Sequence, residues 1–183
     1  MKLIAVILLS VLLTVGAGLA IKALSSKENS DLVSPLFQTK NQDWQIFVNN
    51  YFGYKIKHPS DVEIKNSLSG DITLYKPNSI SLMITQKTLA DTDTLDSVIK
   101  NDIAEKQLSS ISPFSLTSNT SPIALGHVTA LTFQANENNL NITYYYVPQT
   151  LSKYLIIVDQ TQSGENNDNL VSESIVYSLE FMP

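Results

Sequence analysis

Two hydrophobic patterns divide the chain. Residues Leu3 to Leu24 are almost continuously apolar, broken only by Ser10, Thr14 and Lys22. As a helix at ~1.5 Å per residue, that run is long enough to cross a hydrocarbon core of ~30 Å. From residue 51 onward the apolar positions alternate instead. Phe52, Tyr54, Ile56 and His58 fall on one side of a strand that Pro59 stops, and Lys55 and Lys57 fall on the other. Ile72 and Leu74 repeat the alternation, Lys76-Pro77-Asn78-Ser79 supplies turn chemistry, and Ile80, Leu82 and Ile84 resume it. Residues 71–87 therefore read as a β-hairpin.

The period then changes. Leu95, Val98, Ile99, Ile103 and Leu108 recur at helical spacing behind Asp91, Asp93 and Thr94, whose oxygens suit a helix start. This predicts a helix over 94–109. Three strands are predicted next: residues 127–135, Leu140 to Val147 with Tyr144-Tyr145-Tyr146, and Tyr154 to Val158. The last is wholly apolar, as a strand covered on both faces should be. Short turns between them favour antiparallel neighbours. Leu170, Val171, Ile175, Leu179 and Met182 form a second helical stripe. Strand, hairpin, helix, meander and helix make an α+β fold, an antiparallel sheet with helices packed on it.

The organisation follows. Residues 1–24 are expected to be a signal anchor or transmembrane helix, 25–48 a polar tether, and 49–183 the folded domain. The aromatic and apolar residues at the tether's end, Trp44, Ile46 and Phe47, can already belong to the fold. A cleaved signal competes with the anchor, because Gly18-Leu19-Ala20 can serve as a cut site. Export logic places the long C-terminal part outside the cytoplasm, at a cell membrane or, after cleavage, secreted. A pilin-like subunit would also begin with an apolar helix, but no Glu lies early in this one.

Charge removes one class. All 12 basic residues are Lys, and beyond residue 24 ten of them face 17 acids. Without a basic stripe or any Arg, nucleic acid is not an expected partner. An Arg-free chain rich in Lys, Asn and Ile fits an AT-rich genome. The absence of Cys removes disulfides, thiolate metal sites and Cys nucleophiles, and fits a bacterial exported protein.

Residues 50–183 resemble PsbP-like domains. The resemblance rests on Tyr51-Phe52-Gly53-Tyr54-Lys55-Ile56-Lys57-His58-Pro59-Ser60, on the helix start Thr94-Leu95-Asp96, on Ala124-Leu125-Gly126, and on the Tyr-rich hairpin before a C-terminal helix. His58 stands where that family usually has an aromatic residue, and Val62 where it usually has Trp. The resemblance implies an αβα sandwich. The family includes photosystem-associated extrinsic proteins and many anchored bacterial modules without assigned roles.

Candidate chemistry is sparse. His58 and His127 are the two histidines, 69 residues apart, and read as structural. Asp91-Thr92-Asp93-Thr94-Leu95-Asp96 resembles a calcium loop, but Leu95 and Asp96 occupy its fifth and sixth positions and Asp102 its twelfth. The Tyr144–Tyr146 run can line a groove or simply pack. Glu165, Asp168 and Glu173 among asparagines can hold a cation weakly or sit in a solvated loop. No nucleophile elbow or phosphate-binding Gly loop occurs. We therefore assign no catalytic, cofactor-binding or metal residue. The expectation is a membrane-tethered, extracytoplasmic, non-catalytic interaction domain with an envelope protein partner. The alternatives are a secreted small-ligand or ion-binding domain and a hydrolase with an unrecognised site.

Overall fold

A computed structural model describes residues 43–109, 112–162 and 168–183. The expected helix within residues 1–24 lies outside the described residues. So do most of the tether and Glu165.

The described strands are β1 (Trp44–Asn49), β2 (Tyr54–Pro59), β3 (Glu63–Asn66), β4 (Ile72–Tyr75), β5 (Ser81–Thr88), β6 (Phe114–Leu116), β7 (Ser121–Leu125), β8 (Val128–Glu137), β9 (Leu140–Pro148), β10 (Lys153–Asp159) and β11 (Glu180–Phe181). The helices are α1 (Leu95–Leu108) and α2 (Asp168–Tyr177). The large sheet runs β3-β4-β5-β10-β9-β8-β6, with β7 also on β8, and a small sheet runs β1-β2-β11. Every pairing is antiparallel.

Period-two alternation on the central strands builds two cores. Tyr145 and Val147 of β9 and Leu155 and Ile157 of β10 point to one face. There they meet Val171, Ile175 and Val176 of α2 and Tyr54 and Ile56 of β2. Tyr144 and Tyr146 of β9, Phe133 of β8 and Tyr154 of β10 point to the other, where Ile99 of α1 covers them. The result is the expected two-faced α+β sandwich.

Local chemistry fixes the ends. The Thr94 hydroxyl accepts from the Ser97 N–H (3.1 Å), and the Ser97 hydroxyl accepts from the Thr94 N–H (2.9 Å). This capping box starts α1 where the acids and Thr94 predicted it. The hairpin turn places Asn78 at φ 55°, a conformation Asn tolerates well. Opposite β8, the Thr117 and Ser118 N–H groups both donate to the Gln134 carbonyl (2.9 and 3.2 Å). That bulge separates β6 from β7.

Two boundaries differ from the sequence reading. Residues 44–48, placed in the tether, form β1, which pairs with β2 along its whole length. The C-terminal stripe is not one helix. α2 ends at Tyr177, and β11 then pairs with β2 while the Met182 N–H donates to the Gly53 carbonyl (2.9 Å). Leu179 stays buried because this segment continues along the same core.

Gly70 has φ +89°, and a Cβ there would sit 2.9 Å from Phe52 Cζ and 3.2 Å from the Tyr51 ring. Both strain and contact oppose a side chain at this point. Gly70→Ala should therefore lower stability by about 1–3 kcal/mol, seen as a lower urea midpoint with an unchanged slope. An unchanged midpoint would mean that neither the backbone nor the Phe52 ring resists the methyl group.

Candidate functional site

A cavity of about 550 Å³ lies on the α2 face of the large sheet. Register explains its walls. Tyr144 and Tyr146 turn to the α1 face, so Thr143 and Tyr145 turn to this one. Thr143 pairs with Asp159, the last residue of β10. Gln134 of β8, Thr161 beyond β10, and Asn169, Ser172 and Glu173 of α2 complete much of the lining.

Asp159 is 7% exposed. Its carboxylate accepts from the Thr161 N–H (2.9 Å) and the Ser172 hydroxyl (2.8 Å). Burial pushes its pKa above 3.8, against the lowering effect of those hydrogen bonds. Glu173 is also raised, by burial first and then by the negative charge of Asp159. Tyr145 is 4% exposed. Its hydroxyl is raised by burial and by Asp159, Glu173 and Tyr177, and it has no hydrogen bond among the described residues. No Lys appears among the described lining residues. The cavity thus presents carboxylates and neutral amide and hydroxyl groups, which suits hydrogen-bond donors or positive charge on an incoming surface.

The sequence candidates are scattered. Tyr144 packs on the opposite face, stacked on Phe133 with ring centroids 4.8 Å apart, and its hydroxyl donates to Glu137. Tyr146 stacks on Tyr154 and donates to Asp102 (2.8 Å). Lys106 lies over the Tyr144 ring and 3.4 Å from Glu137. The Tyr144 and Lys106 contacts outweigh the burial that would raise Glu137, so its pKa is lowered. This run therefore builds core on one face, and only its middle residue reaches the cavity. His58 is 6% exposed, with Nδ1 2.8 Å from the Pro59 carbonyl. His127 sits in the β7–β8 turn. Neither histidine has a hydrogen bond to a serine among the described residues. The Asp91–Asp96 stretch leads into α1, with Thr94 as its cap. Asp168 is buried in the first turn of α2, and Glu173 lines the cavity. Among the described residues, no group of three or more acidic, His or Cys side chains is placed to hold a metal ion.

The cavity leaves little trace in the sequence because Gln, Thr and Asn carry little signal individually. One cue was available. Asp159 closes a strand that is apolar from Tyr154 to Val158, and the strand's alternation turns it to the Tyr145 face.

A raised carboxyl pKa favours the folded state most while the group is protonated. This contribution is lost as pH rises from the unfolded value near 3.8 through the raised folded value. Asp159→Asn removes it. Relative to the parent, the variant should gain stability as pH rises through that window, measured by urea unfolding at several pH values. A difference independent of pH would show that Asp159 does not titrate in this way.

No protein-family model and no curated protein matches the chain. Solved structures do. One is the solution structure of cyanobacterial PsbP (CyanoP) from Synechocystis sp. PCC 6803, at 11% identity and TM-score 0.56, covering 79% of this chain and 95% of that one. Another is LpqN, involved in cell envelope biogenesis of Mycobacterium tuberculosis, at 15% identity and TM-score 0.46, covering 80% and 88%. The CyanoP likeness, together with the two-faced sheet, gives this chain a PsbP-like fold.

Proposed function

We propose that the chain is a non-catalytic interaction domain held on the outer side of a cell membrane by its apolar N-terminal run, where it meets an envelope protein partner. The observation that carries this reading is the order of parts. A run able to span a bilayer, Leu3 to Leu24, is followed by a polar stretch and then by a domain whose sheet is covered on both faces. Such a domain completes its core without a partner, so its function falls to its surface. The 550 Å³ acid-bearing cavity favours a second reading, a small-ligand domain, at Tyr145 rather than at Tyr144 or His58.

Membrane fractionation of the full-length protein in a bacterial host tests the proposal, combined with intact-mass analysis and protease shaving of spheroplasts. The expected result is an intact 20.2 kDa chain in the membrane fraction whose residues 49–183 are cut from outside. A soluble chain lacking about its first 20 residues, as signal cleavage would leave it, overturns the tether and favours the ligand-binding reading.

A further inference from the structure

Three turns meet at one end of the domain: β1–β2 (50–53), β3–β4 (67–71) and β9–β10 (149–152). Gly70 lies against the Phe52 and Tyr51 rings, which joins the first two turns. The Gln149 side-chain amide donates to the Phe52 carbonyl, which joins the third. Each turn carries a large apolar residue in solvent. Tyr51 is 82% exposed, and Leu68 and Leu151 are fully exposed. Leaving three such groups at adjoining tips is not explained by folding, since none of them contributes to the core.

Positive charge stands just behind the tips. Lys65 precedes the β3–β4 turn, Lys153 follows the β9–β10 turn, and Lys87 pairs with Tyr154 beside it. All three are exposed. Lys65 is 3.8 Å from Glu63, an exposed pair open to exchange with solvent or lipid. The other nearby acids are Asp71, whose carboxylate accepts from the Ser69 hydroxyl (2.7 Å), and Asp91 and Asp93 on the approach to α1.

We propose that this end docks on an anionic lipid surface, with Tyr51, Leu68 and Leu151 entering the headgroup region and Lys65, Lys87 and Lys153 meeting lipid phosphates. Separate apolar tips backed by Lys match an interface that is apolar below and anionic above. Tyr is also a residue favoured at that depth. The inference rests on the reading of residues 3–24 as membrane-directed. Residues 25–42 could extend ~60 Å, well beyond the ~20 Å of β1 that separates Trp44 from the tips. The tether therefore allows this end to turn toward the bilayer.

The chain has no Cys, so single cysteines can be labelled selectively. Leu68→Cys and Leu151→Cys, each carrying the fluorophore NBD, would be compared with Leu108→Cys. Leu108 is 85% exposed at the far end of α1. The full-length protein is reconstituted in phosphatidylcholine–phosphatidylglycerol vesicles, and its association is checked by flotation. The expected result is a blue shift, a several-fold intensity gain and quenching by nitroxide lipids at positions 68 and 151, with emission at 108 as in water. Flotation with water-like emission at both tips overturns lipid docking and leaves the tether standing. Equal changes at all three positions also overturn it, as non-specific adsorption. A chain that fails to float overturns the tether, and the docking proposal with it.

Discussion

β9 is the strand on which the rest of the structure depends. It lies between β8 and β10, so both of its edges are paired and both of its faces are covered. Its alternation sends Tyr144 and Tyr146 to one core and Tyr145 and Val147 to the other. A tyrosine placed there contributes a large apolar ring but also brings a hydroxyl that needs a polar partner or water. Tyr144 and Tyr146 find carboxylates at the edge of the α1 layer, Glu137 and Asp102. Tyr145 opens onto the cavity instead. The cavity is thus tied to the packing: the buried sheet needs one polar outlet on its α2 face, and Thr143, Asp159 and Ser172 surround it.

The two layers handle charge differently. On the α1 face, Glu137 has Lys106, Ser112 and Tyr144 around it, and its carboxylate is favoured. On the α2 face, Asp159 and Glu173 face each other without a nearby Lys in the cavity lining, and both are shifted toward the protonated form. Hydroxyl and backbone donors keep Asp159 hydrogen-bonded but supply no opposite charge. A partner carrying a positive group could supply it.

Much of this fold was legible from period alone. The hairpin, α1 and the β8–β10 meander lie close to where alternation and helical spacing placed them, because each buries a face whose pattern lasts several residues. The short edge strands were not legible. β3 has Ile64 as its single apolar residue, β7 contains Pro122, and β11 is two residues long. Long-range pairing creates these strands, and no local period announces them. The C-terminal stripe misled for a related reason: Leu179 is buried whether the chain remains helical or leaves α2 toward β2. The candidate site was legible least. It arises where β8, β9, β10 and α2 converge, and that depends on register rather than on any run of residues.

The ends of β9 also divide the domain's surface. Its N-terminal end, with the β8–β9 turn, borders the acidic cavity; its C-terminal end runs into the turn that carries Leu151. Nine residues of strand place these ends roughly 30 Å apart. An acid-bearing hollow and three apolar tips backed by Lys differ in chemistry, and this distance keeps them apart. In the docking proposal, a domain resting on lipid through its tips would hold the cavity end away from the bilayer, open to a partner in the envelope. The sheet would then serve as a rigid spacer, and its rigidity would come from the same two-faced burial of β9 that shapes the cavity.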